Sequence, residues 1–157
     1  MGIQLNFGDH IPKFKDFRPI PMDLRADAQW IRAQAKAIAN TKPTANAYFR
    51  SLPKHRTLSA LLADGSIWVS YFNSPAADGQ TYTLGGFSEV AIDARMWRAG
   101  RATALGVLIH ELAHVNGAPD ETTQAEDALV HCGLGNLFEL HTGIDLPDTP
   151  YRPGLKG

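Results

Sequence analysis

What this chain of 157 residues has little of narrows its class before any motif is read. It holds a single cysteine, Cys132, so no internal disulfide can form. Its net charge is −1, with 15 Lys and Arg against 16 Asp and Glu, which gives no electrostatic reason to expect nucleic acid or an anionic membrane as partner. No apolar run approaches the length of a membrane span. Residues 1–22 carry Asp9, Lys13, Lys15, Asp16 and Arg18 and lack the apolar centre of a signal peptide; the expected location is cytoplasmic, or outside the cell after export without a cleavable signal. Internal repeats and low-complexity runs are absent too, and the length suits one domain with a sizeable core.

What is there is concentrated between Val107 and Cys132, where His110-Glu111-Leu112-Ala113-His114 carries a chemistry in its spacing. Residues four apart on a helix share a face, so His110 and His114 offer two imidazole nitrogens to one ion. Neutral imidazoles suit Zn²⁺. Glu111 lies about 100° round the helix from His110, outside that ligand pair but within reach of water beside it, the position of a general base. The apolar set Leu105, Leu108, Ile109, Leu112 and Val115 continues helical spacing through the motif, and Gly117 and Pro119 supply a stop.

In this segment the chain resembles the zincin metallopeptidases, over the HELAH helix and the residues that follow it, about a fifth of the length. A looser likeness, carried by HELAHVNGAP and AEDALVHCGL, is to small bacterial proteins of unassigned function, some attached to secreted toxins. The zincin resemblance implies a single α+β domain with a small sheet before the metal helix, one edge strand of it lining the cleft, Zn²⁺ as cofactor and a peptide or protein as substrate. The looser one implies a toxin or effector using the same site, with an inhibitor or immunity protein as partner.

A catalytic zinc takes a third protein ligand and keeps one position open. Glu126 is the first candidate: if one helix ends near Asn116 and another begins near Thr122, the two form an antiparallel hairpin. At about 1.5 Å per residue, His114 and His110 then lie roughly 3 and 9 Å from the end of the first helix and Glu126 roughly 6 Å into the second, at one level. Asp120 is the alternative, because His110 to Asp120 reads H-E-x-x-H-x-x-G-x-x-D, similar to the metzincin signature with Asp for its last His. Metzincins also carry a methionine turn after the motif, and Met1, Met22 and Met96 all precede it. Both carboxylates have a plainer reading, Glu126 in a capping box with Thr123 and Asp120 in a turn. His131, His141 and Asp93 are more distant candidates.

Elsewhere, residues 1–22 are Pro-rich and aperiodic and read as an irregular arm packing through Phe7, Phe14, Phe17 and Ile20. Residues 23–144 form the zincin-like domain and 145–157 an extended tail. A helix capped by Asp23 carries the stripe Leu24, Ala28, Ile31, Ala35, Ile38; a second follows Pro43 and buries Tyr48, Phe49 and Leu52; a turn follows Thr57. Residues 66–72, 81–84 and 87–94 read as three strands in an antiparallel meander that feeds directly into the metal helix; the zincin resemblance implies that residues 81–93 line the cleft. Cys132 joins Ala125, Ala128 and Leu129 in a buried stripe, and a short last helix closes at Gly143.

The function expected from this pattern is a monomeric zinc peptidase in which Glu111 takes a proton from water. The oxyanion partner stays open among His131, His141, Tyr82, Tyr151 and Arg95. A binding protein in which the ion only staples two helices is the competing class.

Overall fold

The strand that sorts the molecule is the one with apolar residues on both of its faces. A computed structural model describes residues 2–146 and Leu155; the expected course of residues 147–154 and 156–157, Tyr151 included, lies outside the described residues. Four strands, β1 (Gln4–Leu5), β2 (Ile67–Phe72), β3 (Gly79–Leu84) and β4 (Phe87–Asp93), form one sheet in the order β1-β2-β4-β3. β1 and β4 both run parallel to β2, and β3 runs antiparallel to β4.

The expected three-stranded antiparallel meander is therefore wrong: the sheet is four-stranded, mixed and mostly parallel. The reason is burial. From Ser88 to Asp93 every residue of β4 is buried, so this strand takes the centre, whereas the polar run Gln80-Thr81-Tyr82-Thr83 of β3 remains partly open and takes the edge. The loop at 73–78 carries the chain past the space that β4 fills when it returns through the Gly85-Gly86 turn. The arm expected to be irregular supplies β1, whose Leu5 pairs with Val69.

Alternation divides the sheet into two faces. Leu5, Ile67, Val69, Val90 and Ile92 face the helices and join the main core. Phe72 and Ala91 face the other way and are covered by the arm through Phe14 and Phe17, while His10 stacks on Trp68 with ring centroids 4.1 Å apart. Glu89 is buried on this outer face. It accepts from the backbone N–H of Lys13 (2.9 Å) and Phe14 (3.3 Å) and pairs with His10 Nε2 at 2.7 Å.

Seven helices are present among the described residues: α1 (Arg25–Thr41), α2 (Pro43–Ser51), α3 (Leu58–Leu62), α4 (Ala94–Ala99), α5 (Arg101–Val115), α6 (Gln124–His131) and α7 (Leu137–Thr142). Asp23 lies in a short 3₁₀ helix, Met22–Leu24, ahead of α1 and does not cap it. The predicted stripe Ala28, Ile31, Ala35 and Ile38 is buried, as are Phe49, Leu52, Leu58, Leu61 and Leu62, and Thr57 caps α3 by accepting from Ala60 N–H. The sheet does not feed directly into the HELAH helix. α4 intervenes, capped by Asp93, and Gly100, with φ +128°, turns the chain into α5.

α5 is the centre of this α+β domain: eleven of its fifteen residues are buried, which is why its apolar pattern runs almost all round the helix. No described helix is long and apolar enough to cross a membrane.

Candidate metal centre

The geometry of the histidines starts from how α5 ends. Gly117 adopts φ +93°, and its N–H donates to the carbonyl of His114 while Ala118 N–H donates to that of Ala113. This is a Schellman cap, in which a glycine turns the chain back over the last helical turn. Asn116 anchors it from below: its side-chain amide donates to the carbonyls of Phe49 (2.7 Å) and Arg56 (2.9 Å). The returning chain lays the Ala118 carbonyl on His114 Nδ1 at 2.8 Å.

That contact settles the tautomer of His114. Nδ1–H donates to the carbonyl, which leaves the lone pair on Nε2, the arrangement typical of a metal-ligating histidine. Nε2 of His114 lies 3.2 Å from Nε2 of His110, the rings meeting at 68°. Two donors on one tetrahedral ion with bonds of ~2.0–2.1 Å stand about 3.3 Å apart, so the pair is spaced as zinc requires. His110 is 4% exposed and His114 lies at the base of a cleft of about 740 Å³.

Glu111 is fully buried beside them and also lines the cleft. Its Oε2 accepts from the hydroxyl of Thr81 on β3 at 2.6 Å; Oε1 is buried without a hydrogen-bond partner among the described residues. Burial pushes the carboxyl up to about 8, opposed by the Thr81 hydrogen bond and reinforced by the charges of Asp120 and Asp78. A buried acid with an unused oxygen next to two imidazoles fits a site that a cation completes.

Both candidate third ligands line the cleft, and neither is in place. Among the described residues, no group of three His, Cys, Asp or Glu side chains is close enough to hold an ion. Asp120 is 86% exposed, and its Oδ1 lies 3.7 Å from Nδ1 of His114, the ring nitrogen already committed to Ala118. Glu126 sits on α6, which packs on α5, and the capping box that offered it another role is not formed: Thr123 makes no side-chain cap.

The distant candidates are engaged elsewhere. Asp93 is buried, accepting from Ser74 N–H and from Arg95 N–H and Nε. Arg95 also donates to the carbonyls of Ser74 and Ala77, so the pair pins the loop that leads into β3. His131 stacks on Tyr48, Tyr82 packs on Phe14 at the outer face, and His141 is exposed on α7. None of these lines the cleft.

Several contributors were not foreseen. Gly79 precedes the strand expected at 81–84, yet it opens β3 directly against Glu111: a Cβ there would stand 2.7 Å from Glu111 Oε1 and 2.6 Å from Val107 Cγ1. Of the stretch 81–93 expected on the cleft, only Thr81 and Thr83 line it; Lys54 and Leu155, the latter only 7% exposed, line it from outside that expectation. No local pattern marks them, because each reaches the site from another element. Cys132 is buried as expected, its thiol pushed up to about 12 by burial, which keeps it unreactive.

No family model, curated protein or solved structure matches the chain.

Proposed function

We propose that this chain is a zinc-dependent peptidase. The observation that carries the reading is the pair of Nε2 atoms 3.2 Å apart, one of them held as a lone-pair donor by the Ala118 carbonyl. His110 and His114 would hold the ion, with Glu126 as the third ligand and Asp120, beside the far nitrogen of His114, as the alternative. When bound, zinc supplies Lewis-acid polarisation of a carbonyl and acidifies water.

The chain's own residues do the rest. Glu111 takes a proton from water and passes it to the leaving amine. β3 lies at the sheet edge and contributes Gln80, Thr81 and Thr83 to the cleft wall. An extended peptide adds to such an edge through main-chain hydrogen bonds, which makes a peptide the favoured substrate class.

One observation favours the other reading, in which the ion only staples α5 to α6: Glu111 has no exposed surface. Glu111→Gln separates the two. In the peptidase it keeps zinc at one ion per chain and lowers peptide hydrolysis by about 10²–10⁴-fold, the usual contribution of a general base. Unchanged hydrolysis in that variant would remove Glu111 from the reaction, and a wild type that binds zinc with four protein ligands and cleaves no peptide library would favour the staple.

A further inference from the structure

We propose that Thr81 is the positioning residue for Glu111, and that the cleft-edge strand, rather than the metal helix, sets the orientation of the proton-transferring carboxyl. The proposal rests on the peptidase reading for its kinetic consequence, though not for the contact itself. Alternation in β3 and its pairing with β4, Gly79 opposite Ile92 and Thr81 opposite Val90, turn both residues to the helix-facing side of the sheet, where α5 packs.

There the Thr81 hydroxyl has two acceptors, the Oε2 of Glu111 at 2.6 Å and its main-chain carbonyl at 3.2 Å. It has one proton to give, and the shorter contact, to Oε2, is the stronger hydrogen bond. The other oxygen is limited by shape: Oε1 lies against Gly79, in a space that even a methyl group would invade. A glutamate on an isolated helix samples several rotamers. Here one oxygen is tied to β3 and the other faces β3 where no side chain is present, so β3 selects the rotamer.

The consequence is a link between substrate seating and chemistry. A chain added along β3 moves with the strand that holds Glu111, so a poorly seated chain leaves the base misaligned. The loss appears in kcat rather than in KM, because the contact holds the base and not the substrate.

The test compares full-length wild type, Thr81→Val, Thr81→Ser and Glu111→Gln. On metal-free protein at one pH, the infrared carboxyl band that disappears in Glu111→Gln should shift in Thr81→Val, which keeps the shape and removes the donor, and return in Thr81→Ser. An unshifted band in folded Thr81→Val would overturn the proposal whatever the protein's activity. On zinc-loaded protein, Thr81→Val should keep full zinc content, lose roughly tenfold or more in kcat with KM little changed, and recover in Thr81→Ser. Equal kcat in wild type and Thr81→Val would overturn it as well. If no peptide is cleaved even by wild type, the peptidase reading fails while the band still decides whether Thr81 holds Glu111.

Discussion

A carboxyl group with no exposed surface sits beside two imidazoles, and desolvation raises Glu111 from an ordinary 4.5 to about 8. Between those two values the unfolded chain has released this proton and the folded, metal-free chain has kept it. Stability therefore falls as pH rises, by up to ~1.4 kcal/mol per pH unit; the contribution is complete below about 4.5 and gone above about 8. Urea midpoints of metal-free wild type should fall relative to Glu111→Gln between pH 5 and pH 8. Parallel curves for the two proteins would mean that the folded chain does not hold the proton. The pairing of His110 with His114 was legible in the sequence because four residues make one helical turn. The partner of Glu111 was not, because Thr81 lies thirty positions away and reaches it only through strand register.

At the scale of elements, the end of α5 does two jobs with one turn. The glycine that stops the helix also places the Ala118 carbonyl on His114, so capping and the His114 tautomer depend on the same backbone. Gly117→Ala forces a side chain into φ +93° and against Pro53 Cβ at 3.0 Å, and is expected to cost ~1–2 kcal/mol in stability. It should also weaken zinc binding, measured by competition with a chromophoric chelator. Full zinc affinity in a destabilised variant would separate the cap from the tautomer. Gly117 was readable as a stop from its position after Val115, whereas the return of Ala118 onto the ring was not. β3 shows the same limit: its residues read as a strand, but its place at the edge depends on which neighbour fills the centre.

Across the whole molecule, the sheet is covered on both faces by different means, by helices on one and by the arm on the other. Glu89 holds the arm, accepting two backbone N–H groups and pairing with His10. Glu89→Ala leaves those groups without their acceptor, and a hydrogen bond to a charged group is worth about 1.5–3 kcal/mol. The expected result is a loss of roughly 3 kcal/mol or more, with hydrogen exchange accelerated first at the Lys13 and Phe14 amides. Unchanged protection there would place the arm's anchor in Phe14 and Phe17 instead.

The sequence by itself determined most of the helices but not α4, together with the buried stripes, the two-histidine motif and the glycine stops, since each of these depends on residues within a turn or two of one another. Only the tertiary structure decided the order of the strands, the burial of Glu111 and the hydroxyl that orients it. Those follow from a competition among distant segments for the centre of one sheet, won by the strand whose two faces both find cover.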